Sequence, residues 1–110
     1  MDSKVRRART EALFRDVNER IAESAERFGA DETEFVCECA DPNCTSRIEM
    51  TLADYNEVRG DATHFLVVPG HEDPEIERIV ECRRRRAIVE KFERVVALTV
   101  RRLNPRRAPA

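Results

Sequence analysis

Residues 34–44 have the sequence EFVCECADPNC, which places three of the four cysteines of the chain within eight positions. The first part, residues 34–39, predicts a β-strand. Side chains two apart on a strand point to the same side, so Cys37 and Cys39 can converge. The next residues, 40–43, favour a β-turn, because Asp is common at its first position and Pro at its second. This turn would bring Cys44 back beside the other two thiols.

Three thiols around a polar turn are typical of a metal site. Zinc in structural sites takes four tetrahedral ligands, often thiolates, and turn amides can donate hydrogen bonds to the sulfurs. The spacing C-x-C-x4-C is less common than the paired CxxC, and three buried thiols can also act as small hydrophobes. We favour a structural zinc site, with an iron–sulfur cluster as an alternative for the same ligands.

The fourth ligand must come from elsewhere in the chain, and three residues are candidates. His71 follows Pro69–Gly70 on a predicted turn and precedes two acidic residues, so we favour it. Cys82 lies in an apolar strand pattern, which is more typical of a core residue or a free thiol. His64 precedes a predicted strand and is more typical of a surface histidine.

The sequence on the N-terminal side of the cysteines predicts a long amphipathic helix over residues 3–28. Its apolar residues recur every three or four positions, which is the period of one helix face. These residues are Phe14, Val17, Ile21, Ala25 and Phe28. We expect this stripe to pack on the protein's own sheet, with a homodimer through the same helix as the alternative.

The sequence after the cysteines predicts a returning strand over residues 47–51 and a short helix that Thr51 caps and Gly60 ends. A buried strand follows over residues 65–68. Residues 77–82 and 87–91 predict a hairpin, since both contain β-branched pairs. The alternative is a helix across residues 74–91, because Asp73–Pro74 is a good helix start.

A last helix is predicted over residues 92–103, with its apolar face formed by Phe92, Val95, Val96 and Leu103. The whole pattern predicts one small α+β domain over residues 1–103. In it, the N-terminal helix packs on a short antiparallel sheet that carries a metal-stabilised β-hairpin. Residues 104–110, rich in Pro and Arg, predict a disordered basic tail.

The charge pattern bears on partners and on location. The formal net charge is −2, with basic residues concentrated at both ends, so the protein is not a polycation. No apolar stretch reaches the roughly 20 residues of a membrane span, and none follows the N-terminal basic residues as in a secretory signal. We therefore expect a cytoplasmic protein with no membrane partner, in which thiols stay reduced.

Five segments of the sequence resemble a family of small bacterial proteins of uncharacterised activity, which carry an F-x-C-E-C-x4-C segment and a later P-G-H-E motif. The segments are residues 34–39, 41–44, 52–59, 65–72 and 89–91. The resemblance spans roughly residues 13–91 and implies a zinc site that takes Cys37, Cys39, Cys44 and His71 as a set. It does not support Cys82 or His64 as a ligand, and the basic tail departs from the family pattern.

The sequence contains no Ser-His-Asp pattern, Gly-rich phosphate loop or zinc-deaminase motif, so we expect no enzyme. A metal-dependent hydrolase would be the enzyme alternative, because Glu72 is adjacent to His71. We predict a non-catalytic, regulatory module that binds another protein. Nucleic acid is the alternative partner, through the run Arg83, Arg84, Arg85 and Arg86 and the basic termini, although single-strand binding usually needs more aromatic residues. A thiol redox sensor is the third possibility.

Overall fold

The computed structural model describes residues 3–106 and has three helices and five strands in that range. The elements are α1 (Ser3–Arg27), β1 (Glu32–Val36), β2 (Arg47–Thr51), α2 (Leu52–Val58), β3 (His64–Val67), β4 (Glu77–Cys82), β5 (Ala87–Lys91) and α3 (Arg94–Arg102). This confirms the predicted α+β class and the single small domain. Thr51 caps α2 as predicted, since its hydroxyl accepts a hydrogen bond from the backbone N–H of Asp54.

The strands form two antiparallel sheets. The first pairs β1 with β2, and Phe35 lies opposite Ile48. The second has the order β3-β5-β4, and Phe65 on β3 lies opposite Val89 on β5. The hairpin over residues 77–82 and 87–91 is confirmed with its predicted bounds, and the alternative helix across residues 74–91 is wrong. The β-branched residues at these positions favour a pleated surface over a helix.

Side chains from both sheets and from all three helices form one core. Phe35 stacks on Tyr55 of α2 with ring centroids 4.3 Å apart, so the first sheet is joined to α2 by an aromatic pair. The other large apolar members include Ile48, Phe65, Leu66, Ile76 and Val89. Helix α1 covers this core and contacts β1, α2 and α3.

The bounds predicted for α1 are confirmed to within one residue, but the predicted inward face is wrong. Val17 and Phe28 are 40% and 79% exposed, and only Ala25 of the predicted stripe is buried. The helix instead buries a face of small and polar residues, namely Ala8, Glu11, Ala12, Arg15, Asn18, Ala22 and Ala25. The polar members are tolerated because they have partners in the interior.

Arg15 shows how such a polar residue is accommodated. Its guanidinium donates hydrogen bonds to the carbonyls of Ala62 and Val100 and lies 4.7 Å from the centre of the Phe65 ring. Burial, together with the nearby charge of Arg59, lowers the pKa of Arg15 to about 10, so it remains protonated at neutral pH. Arg15 thereby ties α1 to α3 and to the chain before β3.

Helix α3 is also rotated from its predicted orientation. Val96, Ala97 and Val100 are its buried residues, whereas Val95 and Leu103 are each 45% exposed, and Phe92 precedes the helix.

After α3, Arg106 donates a hydrogen bond to Glu19 over 2.7 Å. The rest of the predicted tail, residues 107–110, lies outside the described residues. Within residues 3–106, none of the helices has the length and apolar character that crossing a membrane requires.

Candidate metal centre

The structure brings together the four residues that the sequence favours as ligands. One donor atom from each of Cys37, Cys39, Cys44 and His71 lies within 4.8 Å of all the others. The Nδ1 atom of His71 is 3.6 Å from the Sγ of Cys37 and 3.6 Å from the Sγ of Cys44. A tetrahedral ion bound at about 2.3 Å from sulfur and about 2.0–2.1 Å from nitrogen would separate these atoms by about 3.6 Å. The donor set therefore fits one small divalent ion.

The first two cysteines lie just beyond β1, where the chain crosses from the first sheet to the second. The backbone N–H of Cys37 donates to the carbonyl of Ser46 near the start of β2, over 3.1 Å. The next N–H, that of Glu38, donates to Leu66 of β3 over 2.7 Å. Both cysteines are nearly fully buried as a result. Strand β1 thus ends at Val36, earlier than predicted. The chain beyond it still forms backbone hydrogen bonds, to Ser46 and to Leu66.

The turn predicted before Cys44 is present. The N–H of Cys44 donates to the carbonyl of Asp41 over 3.0 Å, which closes the turn. The carboxylate of Asp41 also accepts a hydrogen bond from the N–H of Asn43 over 2.9 Å. These two contacts are the reason that Asp and Asn suit this position. They return Cys44 to the other thiols and leave it half-buried.

His71 ends a second turn, which begins at Val68. Its N–H donates to the carbonyl of Val68 over 2.9 Å, and Gly70 has a φ of 95°. A type II turn requires a positive φ at its third position, which Gly70 supplies, and Pro is common at its second position. The N–H of Val68 donates to the Sγ of Cys37 over 3.2 Å. The same turn therefore presents the histidine and holds one of the sulfurs.

The thiols are electrostatically coupled. Hydrogen bonding with the thiol of Cys37, together with the N–H of Asp41 and against the opposing effect of burial, lowers the pKa of Cys39 to about 5. The same bond raises the pKa of Cys37, and burial adds to the effect. Metal ligation requires thiolates, so the environment of Cys39 favours the form that binds a metal, whereas that of Cys37 favours the thiol.

Sequence reasoning missed Glu38, which lies between the two cysteines and is fully buried. Its carboxylate accepts hydrogen bonds from the side-chain amide of Asn18, the hydroxyl of Tyr55 and the backbone N–H of Leu66, over 2.8, 2.8 and 2.9 Å. The guanidinium of Arg59 lies 3.4 Å away. The alternation of an extended strand was the available signal, because two cysteines on one side require the residue between them to face the core.

The other ligand candidates lie away from this cluster. Cys82 is exposed at the end of β4, and its thiol is 3.7 Å from the carbonyl of Arg83. His64 instead lies 3.5 Å from Asp61 and 3.3 Å from Glu90. The carboxylate of Glu72, adjacent to His71, accepts a hydrogen bond from the N–H of Gly70 over 2.8 Å. Glu72 therefore stabilises the turn.

Comparisons of the chain with known protein families, with curated proteins and with solved structures find no match. The resemblance to the small bacterial family stays a prediction. The function must therefore be inferred from the geometry of the four-residue cluster and from the surface around it.

Proposed function

We propose that the protein binds one structural zinc ion through Cys37, Cys39, Cys44 and His71, and that it acts as a non-catalytic module in protein interactions. The observation that carries the metal site is the pair of 3.6 Å distances from His71 Nδ1 to two sulfurs, which matches the edge of a zinc tetrahedron. A thiolate site of this kind needs reduced cysteines, so a cytoplasmic location belongs to the proposal.

A structural role is favoured over a catalytic one by the number of ligands. Catalytic zinc sites keep a position open for water or substrate, whereas four protein ligands close the tetrahedron. The carboxylate of Glu72, adjacent to His71 in the sequence, accepts a hydrogen bond from the N–H of Gly70. A general base would need its carboxylate free beside an open position. Neither feature of a zinc hydrolase is supported.

The ion would connect parts of the chain that belong to different sheets. Cys37 and Cys39 follow β1, Cys44 precedes β2, and His71 follows β3 of the second sheet. A cross-link between distant positions lowers the entropy of the unfolded chain. Zinc would therefore stabilise the long loop of the first hairpin and join this hairpin to the second sheet.

The interaction role is supported by the surface. Nine large apolar side chains are at least 40% exposed among the described residues: Leu13, Val17, Phe28, Ile79, Val80, Phe92, Val95, Leu98 and Leu103. Single exposed apolar residues are ordinary, but several on the outer faces of two helices mark surfaces that partners can cover. We infer that a protein partner uses one of these faces.

Elemental analysis of the purified chain tests the metal site. We expect one zinc per chain, no visible absorption of the kind that an iron–sulfur cluster gives, and an X-ray absorption spectrum with three sulfurs at about 2.3 Å and one nitrogen. Cys39→Ser should lose the zinc. Cys82→Ser is the matched control and should keep it, because Cys82 lies outside the cluster. A coloured protein, or equal zinc in both variants, would refute the proposal.

A nucleic-acid partner is a second candidate, favoured by the tip of the β4–β5 hairpin. Arg84 and Arg85 are exposed there, whereas Arg83 lies 3.6 Å from Glu81 and Arg86 lies 3.1 Å from Asp54. Pairing of two of the four arginines weakens the basic surface. Binding of duplex DNA should therefore be weak, and it would fall steeply as salt is raised if it occurs at all. Tight binding that Arg84→Ala with Arg85→Ala abolishes would favour this candidate over a protein partner.

A further inference from the structure

Two stripes of residues run along helix α1, and we call them the covered seam and the outer seam. The protein's own domain covers the first of them. The covered seam contains Ala8, Glu11, Arg15, Asn18, Ala22 and Ala25, at alternating steps of three and four residues. The outer seam has steps of the same size and consists of Phe14, Val17, Ile21, Ser24 and Phe28. A repeat of seven residues with large apolar side chains is the pattern by which one helix packs against another.

The outer seam is accessible. Phe28 is 79% exposed and Val17 is 40% exposed, while Phe14 and Ile21 are half-buried and Ile21 also packs against the domain's own core. The C-terminal half of the seam borders an open groove of about 470 Å³, whose lining also includes Ala25, Ala30 and Thr33. Phe28 projects from the surface, and the groove beside it is open to side chains of a partner. A partner helix could cover both.

The charged residues beside the outer seam indicate which partner fits. Asp16, Arg20, Glu23 and Arg27 are all exposed and alternate in sign along the helix. If the same helix is placed beside it in the opposite direction, Arg20 lies opposite Glu23 and Arg27 lies opposite Asp16. In this register Phe14 lies within one residue of the position opposite Phe28, and Ile21 lies within one residue of the position opposite its own counterpart. A two-fold interface has this property, because residue i of one copy meets residue j of the other and the reverse.

We propose that the occupant of the outer seam is a second copy of this chain, whose α1 packs antiparallel to the first. If all the charged residues beside the outer seam had the same sign, a partner of opposite charge would be favoured. Because their signs alternate, acidic and basic residues face each other when two copies of the helix pack in opposite directions. The dimer would cover the apolar residues that the domain leaves open. This interface lies outside the metal cluster, so it can be tested separately from zinc binding.

The mass of the full chain in solution, measured by light scattering and sedimentation over a range of concentrations, tests the interface. We expect a dimer that dissociates on dilution. Phe28→Ser should shift the chain to monomer, and its zinc content and thermal unfolding should be retained since the side chain is largely exposed. Phe92→Ser is the matched control, because Phe92 is 48% exposed but is not part of the outer seam, and it should remain dimeric.

A charge exchange tests the antiparallel register. Arg20→Glu would place like charges opposite each other at two symmetric positions and should raise the dimer dissociation constant by about tenfold, from the usual size of surface ion pairs. Arg20→Glu combined with Glu23→Arg should restore the dimer, because the pairs are re-formed with reversed sign. A wild-type chain that stays monomeric at every concentration, or a double variant as weak as the single one, overturns the proposal and leaves the outer seam to a different protein.

Discussion

The hydroxyl of Tyr55 donates a hydrogen bond to the carboxylate of Glu38 over 2.8 Å, in the interior of the domain. Burial and the adjacent carboxylate raise the pKa of Tyr55 above its usual value, so the phenol keeps its proton and remains a donor. Because Glu38 is fixed from the core side, Cys37 and Cys39 are held facing the opposite way. The proposed metal ligands are thus oriented by the core as well as by their own turns.

Glu38→Gln is expected to lower both stability and metal affinity. The amide places an N–H₂ group where the carboxylate accepts hydrogen bonds, so at least one buried donor loses its partner. Such a loss costs about 1–3 kcal/mol. Residues that orient metal ligands typically change affinity by about 10–100-fold. Chemical unfolding and a zinc competition titration measure the two effects.

Glu34→Gln is the control for this change, because Glu34 lies on β1, four residues before Glu38, with its side chain exposed. It should leave both quantities unchanged. Equal effects of the two variants would show that the orientation of the cysteines does not depend on Glu38.

Gly70→Ala tests the turn that presents His71. The φ of Gly70 is 95°, a value that residues with a Cβ adopt at a cost of about 1–2 kcal/mol. The turn carries the N–H that bonds to Cys37 as well as the histidine, so we expect weaker zinc binding together with lower stability. Gly29→Ala provides the match, because Gly29 has a φ of 70°, equally open space around it and no contact with the cluster. It should lose similar stability and keep its zinc affinity, and a loss of zinc affinity in both would argue against a local effect.

Zinc removal should unfold the loops around the cluster, so that the protein no longer unfolds in one cooperative transition. In small zinc domains, metal binding contributes apparent energies of about 10 kcal/mol or more to folding. Amide hydrogen exchange with and without a chelator measures this directly. The amides of Cys37, Cys44 and Val68 should lose protection, because each lies in a segment that the ion would hold in place. Retained protection in zinc-free protein would indicate a metal that is dispensable for the fold.

The sequence was sufficient to predict that Cys37, Cys39, Cys44 and His71 lie close together, and it predicted most elements of secondary structure. Cysteine spacing, turn residues and the period of apolar residues are local features, and they correctly placed the hairpins and brought His71 to Cys37. The inward face of α1 could not be found in this way. Its two seams are offset by one residue, about 100° around the helix, and the more apolar of the two faces outward.

The covered seam was missed because its polar residues are buried against partners far away in sequence. Arg15 bonds to Val100, and Glu11 lies 2.7 Å from the ammonium of Lys91. Hydrophobic periodicity treats such residues as a solvent-exposed face. Only the tertiary structure shows that these polar groups have partners in the interior, which is the condition for burying them.

The buried charges of Glu11, Lys91 and Glu77 lead to a prediction about pH. Lys91 contacts both carboxylates, all three side chains are fully buried, and one ammonium cannot balance two negative charges. Burial, opposed in part by Lys91 and reinforced by Glu77, raises the pKa of Glu11 well above its ordinary value. The folded protein therefore keeps a proton on Glu11 at pH values where the unfolded chain has lost it.

The sign of the effect follows from proton linkage. Where the folded state binds more protons than the unfolded state, the free energy of unfolding falls as pH rises. For Glu11 this loss begins near the unfolded pKa of about 4.5 and continues up to the folded value, at up to about 1.4 kcal/mol per pH unit. The glutamine of Glu11→Gln cannot titrate, so the variant should gain stability relative to wild type as pH rises above about 4.5.

Denaturant unfolding of both proteins at a series of pH values measures the difference between their free energies of unfolding. The pH dependence of zinc binding is common to both proteins and cancels in this difference. Glu26→Gln, at an exposed position of the same helix, should show a nearly constant difference. If the Glu11→Gln difference is equally constant, Glu11 is ionised in the folded protein and Lys91 must stabilise both negative charges.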